Sequence, residues 1–220
     1  MHTIGVLSDT HGLLREEVLD VLNRCDAILH GGDINRQDIL DRLEEIAPVY
    51  VVRGNNDKEW SEHLPLFLDL TLFGIHIYMT HKKKDLPDDV LQYDLVVYGH
   101  SHRFGLIKTH ETVFLNPGSC GPRRLNQEIT LALLTVSNDG HIREVKRIDI
   151  PHTKPVPALP KEAELKRIIE RTMQYVDKEK SVDEIARALH ISTDLADQIC
   201  RLYLTHPGVN ADGIMTKMGL

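Results

Sequence analysis

Five short apolar runs, each followed at once by a residue able to bind a metal or an anion, structure the first hundred residues. They are "TIGVLS" (3–8), "AILHGG" (27–32), "VYVVRG" (49–54), "IHIYMT" (75–80) and "LVVYG" (95–99). Their length, β-branched content and glycine or polar borders are those of buried strands. Between the first three, Leu13, Leu14, Val18, Leu19 and Leu22, then Ile39, Leu40, Leu43 and Ile46, recur at helical spacing. Strand, helix, strand, helix, strand is the order of parallel βαβ units, because a helix returns the chain to the same sheet edge. From residue 105 the pattern changes to "GLIKTHETVFLN" and "EITLALLTVSNDGHIREVKRI", the latter with an Asn138-Asp139-Gly140 turn between alternating runs. That is a hairpin signature. Residues 1–150 therefore read as one α/β domain with an antiparallel second half.

"IPHTKPVPALPK" holds four prolines and no periodicity, so residues 151–160 read as a linker. Residues 161–220 read as a small all-α accessory domain of three helices. Leu165, Ile168, Ile169, Met173 and Val176 mark the first helix. "SVDEIARALH" opens the second with a capping box from Ser181 to Glu184, and "TDLADQICRLYL" forms the third. The last two have helix-turn-helix proportions. A DNA-reading helix carries basic residues at its exposed start, whereas this one begins Thr193-Asp194-Leu195-Ala196-Asp197. We therefore expect dimerisation (a homodimer), partner binding or covering of the active site from this domain, and not DNA binding.

Three distant cysteines, Cys25, Cys120 and Cys200, fit neither a disulfide framework nor a thiolate metal site. The start of the chain lacks the pattern of a secretory signal, and no apolar stretch approaches the ~18 residues of a membrane span. A cytoplasmic location is expected, and no membrane partner. The net charge of −7 argues against general nucleic-acid binding.

The residues after the apolar runs are Asp9 and His11, Asp33, Asn55 with Asn56 and Asp57, His81, and His100 with His102. All fall at the carboxyl ends of expected strands, the edge where open α/β sheets bind ligands. Four imidazoles, two carboxylates and one carboxamide are too many for a single ion. If Asp33 bridges, each of two ions receives four protein ligands. A sulfur-free set favours Mn²⁺, Fe²⁺, Zn²⁺, Co²⁺ or Ni²⁺, with Mg²⁺ also suited to oxygen ligands. Two ions about 3.5–4 Å apart suit phosphoryl transfer by attack of a bridging hydroxide.

"SDTHG", "GGD", "RGNND", "MTH", "GHSH" and "NPGS", in this order, resemble the motifs of calcineurin-like metallophosphoesterases, and within them the YfcE-like phosphodiesterases. The resemblance covers residues 1 to about 150. It implies a four-layer α/β/β/α sandwich and hydrolysis of phosphate esters, with Mn²⁺ as a common activator. It also implies Asp9, His11, Asp33 and His102 around one metal, and Asp33, Asn55, His81 and His100 around the other. Many relatives have a histidine where Asn56 stands, and there it helps protonate the leaving group. Asn56 cannot act as an acid, which together with the resemblance points to diesters over monoesters. Asn56, Asp57 and Arg103 are candidate substrate contacts, and Lys82, Lys83, Lys84, Arg103, Arg123 and Arg124 could form a positive rim. "HKKK" also replaces a glycine-histidine pair usual after His81. The competing readings are a phosphomonoesterase and an inactive scaffold, as in the retromer subunit that shares this fold. A third is a regulator that binds DNA through its tail.

Overall fold

The computed structural model describes residues 1–123, 127–151, 162–178, 180–206 and 208–218. They form two compact units, one built from the residues up to 151 and one from the helices that begin at 162.

The first unit holds two five-stranded sheets. One has the order β10 (Ile142–Asp149), β9 (Thr130–Val136), β1 (His2–Leu7), β2 (Ala27–His30), β3 (Val49–Val51). β1, β2 and β3 run parallel, joined by α1 (Glu16–Leu22) and α2 (Gln37–Glu44), while the β9–β10 hairpin pairs antiparallel with β1. The other has the order β4 (Phe67–Leu72), β5 (Ile75–Thr80), β6 (Leu95–Val97), β8 (Thr112–Pro117), β7 (Phe104–Thr109). Here β5, β6 and β8 are parallel, and β4 and β7 are antiparallel edges.

Strand alternation feeds two cores. Ile4 and Val6 of β1, with Ala132, Leu134 and Val136 of β9, meet Ile75, Ile77, Leu95, Val97 and Leu115 between the sheets. Leu7 and Leu131 point the other way, onto Val18, Leu22, Ile39, Leu40 and Leu43 of the two helices. The outer face of the second sheet, with Tyr78, Val96 and Tyr98, is covered by Leu86, Val90 and Tyr93. That cover comprises two 3₁₀ turns, Lys83–Asp85 and Val90–Gln92, so the fourth layer of the sandwich is thin. β4 is a strand beyond the five apolar runs. Its apolar residues Leu68, Leu70 and Leu72 alternate with Asp69 and Thr71, which leaves it no continuous apolar run.

In the second unit, α3 (Glu162–Val176), α4 (Val182–Leu189) and α5 (Thr193–Thr205) match the three expected helices. The capping box is formed, with the Ser181 side chain accepting from the Glu184 amide. The expectation of three helices is corrected by a fourth, α6 (Ala211–Met218). Its two turns contain Gly213, a weak helix former, so packing stabilises it more than propensity. Ile214, Met215 and Met218 are buried with Leu165 and Ile169 of α3 and Leu195 and Ile199 of α5, and the Asn210 side chain accepts from the Gly213 amide at 2.9 Å. The apolar stripes of α3 and α5 thus find a partner that a three-helix reading lacks. The proline-rich linker, from residue 152 onward, lies outside the described residues. No helix among those described is long and apolar enough to cross a membrane.

Candidate metal centre

The carboxyl ends of five of the six parallel strands carry the site. Asp9 and His11 follow β1, Asp33 follows β2, Asn55 follows β3, His81 follows β5, and His100 and His102 follow β6. Backbone bonds close the loops onto one another: Asp9 N donates to Gly32 O (2.9 Å), His11 N to Asp33 O (2.9 Å) and Gly99 N to His81 O (3.0 Å). The approach is tight. A Cβ on Gly99 would lie 2.1 Å from Ser8 Oγ, and one on Gly54 would lie 2.2 Å from Asp33 N.

The backbone here is also strained. Asp9, His11, Asp33, Asn35, His100 and His102 all have positive φ, between 45° and 72°. L-residues avoid that region at a cost of about 1 kcal/mol or more each. Such strain persists where the surrounding structure over-determines the conformation, and it clusters at functional sites.

Asp9, His11, Asp33 and His102 each offer one ligand atom, and these atoms all lie within 4.8 Å of one another. His102 Nε2 is 3.0 Å from Asp9 Oδ1 and 3.1 Å from His11 Nε2, and His11 Nε2 is 3.8 Å from Asp33 Oδ2. His81 Nε2 stands 3.5 Å from the same oxygen, Asp33 Oδ2. Asn55 and His100 occupy the exposed rim, His100 with its ring edge-on to His81 at 5.2 Å. Four of the seven expected ligands therefore form one cluster, His81 joins through Asp33, and two stand at the rim.

These residues fit a cation. Asp9 Oδ1 and His81 Nε2 are buried without a well-formed hydrogen bond, and their near neighbours, His102 Nε2 (3.0 Å) and Asp33 Oδ2 (3.5 Å), belong to the same ligand set. That is a costly arrangement for polar atoms unless an ion supplies the missing contact. The other atom of each group is anchored. Asp9 Oδ2 accepts from Ser8 Oγ (2.6 Å) and from the His100 amide (3.0 Å). His81 Nδ1 lies 2.7 Å from Gly31 O, which makes it the protonated nitrogen and leaves the Nε2 lone pair facing Asp33. Burial alone would raise both carboxyls. The neighbouring imidazoles, His102 at Asp9 and His81 at Asp33 (the latter aided by the Asn56 amide), outweigh it, so both stay ionised below the usual range.

The profile of the calcineurin-like phosphoesterase superfamily domain matches residues 2–139. The chain belongs to this superfamily. A probable metallophosphoesterase of Methanothermobacter thermautotrophicus is 31% identical over 144 residues, covering 59% of this chain and 84% of that one. A phosphodiesterase of Methanocaldococcus jannaschii is 26% identical over 138 residues, 53% of this chain and 83% of that one. Vps29 of Chaetomium thermophilum aligns over 70% of this chain and all of its own, with TM-score 0.55 and 21% identity. A structure described as a novel archaeal phosphodiesterase covers 67% and 99%, with TM-score 0.54 and 23% identity. At those identities the structural likeness carries the fold alone.

Two features set this metallophosphoesterase apart from its sequence reading. Asn56 faces Asp33: its amide N donates to Oδ1 (2.7 Å) and its Nδ2 to Oδ2 (2.6 Å). Asp57, expected as a substrate contact, is buried and its carboxylate accepts three backbone amides. These come from Asp33 (2.9 Å), Asn35 (2.7 Å) and Gly54 (2.8 Å). It ties the loops after β2 and β3 together, with both carboxylate oxygens already bonded to backbone amides. Arg103 is exposed beyond His102, Lys82 borders a cavity beside His81, and Lys83 lies over the Tyr98 ring. Arg124 lies outside the described residues.

Sequence reasoning missed the supporting groups. Ser8 orients Asp9, and Ser119 Oγ donates to Asp9 O (2.8 Å). Asn116 Nδ2 donates to Gly99 O (2.8 Å). His30 is buried, with Nδ1 accepting from the Gly32 amide and Nε2 beside Thr10 Oγ1 (3.1 Å), and burial holds it neutral by pulling its pKa to about 4. Each lies next to or within a motif, but the direction of its polar atom is set by the fold.

Proposed function

We propose that this metallophosphoesterase is a phosphodiesterase that uses two divalent metal ions, with Mn²⁺ the physiological choice to test first. Asp9, His11, Asp33 and His102 would hold one ion, and Asp33, Asn55, His81 and His100 the other. The observation that carries the reading is the pair of buried atoms without a well-formed hydrogen bond, Asp9 Oδ1 and His81 Nε2, gathered with the Asp33 carboxylate among ligand types alone. When bound, such ions supply Lewis-acid stabilisation of phosphoryl oxygens and a nucleophile from water at neutral pH.

The chain's own residues set the stage for that chemistry. Ser8 and the His100 amide hold Asp9 with Oδ1 inward, and Gly31 O fixes the His81 tautomer. Asn56 places a donor at the Asp33 carboxylate, where it can orient a phosphoryl oxygen but cannot give a proton to a leaving group. That absence favours esters whose leaving group departs unprotonated, and it underlies our preference for diesters. The phosphodiesterase among the relatives supports the same choice. Three buried, unpaired cysteines suit a reducing cytoplasm. We assign the helical unit to partner or substrate handling, because every expected ligand lies in the sandwich.

The deciding experiment loads the full-length protein with Mn²⁺, counts bound metal, and compares bis-p-nitrophenyl phosphate with p-nitrophenyl phosphate. Two ions per chain and faster diester turnover are expected. Two ions without turnover would indicate the scaffold reading, and faster monoester turnover would reverse the substrate preference.

A further inference from the structure

Along β4, Leu68, Leu70 and Leu72 face the core, and Asp69 and Thr71 keep the outward positions polar. An edge strand with one solvated face is expected to do this throughout. Phe67 breaks the pattern: it occupies an outward position and is 57% exposed, and Leu66 before it is 68% exposed. Both border a cavity of about 380 Å³ whose other walls include Asn55, His81, Tyr78 and Lys82. Asn55 and His81 are also expected ligands of the metal centre, so a group attached to a phosphoryl there would reach this cavity directly.

The cavity has the character of a ring site. Its volume falls in the range of small-molecule pockets, about 300–1,000 Å³. The Phe67 ring lies nearly parallel to Tyr78, at 5.8 Å and 13°, which steadies it and leaves aromatic surface open. The charges on the walls are mixed. Lys82 shares them with the carboxylate of Asp85, and the Arg53 guanidinium is turned to the carbonyls of Asp57 and Lys58.

We propose that this cavity binds a planar aromatic substituent of the phosphodiester substrate, stacked on Phe67, while the phosphoryl group sits at the metal centre. The inference rests on the phosphodiesterase reading and narrows its substrate class to aryl or nucleobase-bearing esters. Stacking on one aromatic side chain is worth about one to two orders of magnitude in affinity.

The test uses phenylphosphonate and methylphosphonate, inert probes that differ only in the ring, titrated calorimetrically into the full-length Mn²⁺-loaded protein. Phenylphosphonate should bind at least about tenfold tighter. Phe67→Ala should bring the two to near parity by weakening only the phenyl probe; Phe67→Tyr should keep the preference and Phe67→Leu lose it. Equal binding in the unmodified protein, or a preference untouched by Phe67→Ala, overturns the inference. So does a Phe67→Ala variant that only shifts the solution mass from dimer to monomer, since the surface would then be covered by a second copy. Bis-p-nitrophenyl phosphate turnover on the same samples keeps the readings apart. Phenyl preference without turnover leaves the cavity and removes the phosphodiesterase; turnover without preference does the reverse.

Discussion

The sandwich and the helical unit spend their backbone conformations differently. Of nine non-glycine residues with positive φ among those described, eight lie in the sandwich and six of these are at the metal centre. The helical unit has one, His190 at the end of α4. The sandwich also buries three carboxylates, Asp9, Asp33 and Asp57, whereas the capping carboxylate of the helical unit, Glu184, is exposed. Strain and buried charge are costly, and the sandwich tolerates them where a side chain must point at a common centre. The helical unit, stabilised by apolar stripes and caps, has almost none. The contrast teaches which unit holds the chemistry.

The largest effect should come from Asp33→Asn, which removes the charge that both halves of the ligand set face. Diesterase activity should fall at least about a thousandfold, with metal content dropping below two ions per chain. The same assay on a chain ending at residue 151 should give a rate within a few-fold of full length. A truncated chain that folds but binds no metal would erase the contrast between the units.

Next in size is Asp57→Ala. Three backbone amides, two of them buried, would lose their acceptor at about 1–3 kcal/mol for each buried one, so the sandwich should be destabilised by about 3 kcal/mol in urea unfolding. A loss of activity with unchanged stability would return Asp57 to the substrate contacts.

His190→Gly sharpens the comparison in the opposite direction. His190 is exposed with φ 53° and ψ 41°, so glycine should relieve the left-handed strain and stabilise the helical unit by up to about 1 kcal/mol. Glycine at His11 would also relieve strain, yet it should lose metal. Thermal unfolding of the helical unit together with metal analysis of both variants checks the pair.

The smallest effect is electrostatic. The Ser181 amide, followed by Lys180, holds the Glu184 carboxyl near 2, below its ordinary 4.5. A folded value lower than the unfolded one means that this contribution is full above about pH 4.5 and fades as pH falls toward 2. The helical transition, followed by circular dichroism, should weaken across that window, and E184Q should weaken less.

Much of the sandwich was legible because its signals are local. Apolar runs bounded by glycine specify strands, helical spacing between them specifies crossovers, and a ligand type at each strand end specifies an edge. Ser181 and Glu184 announced the start of α4 in the same way. Apolar runs did not reveal β4, whose signal is alternation without a run, or α6, whose glycine-bearing turns depend on packing against α3 and α5. Nor could sequence give Asp57 its place: it read as a substrate contact beside the metal-binding Asp33, two aspartates that each follow a strand. Only the fold shows that one carboxylate faces histidines and the other faces three backbone amides. Residue type and order along the chain are written in the sequence. The direction of a side chain depends on which loops the sheets bring together, and that is a property of the whole packed domain.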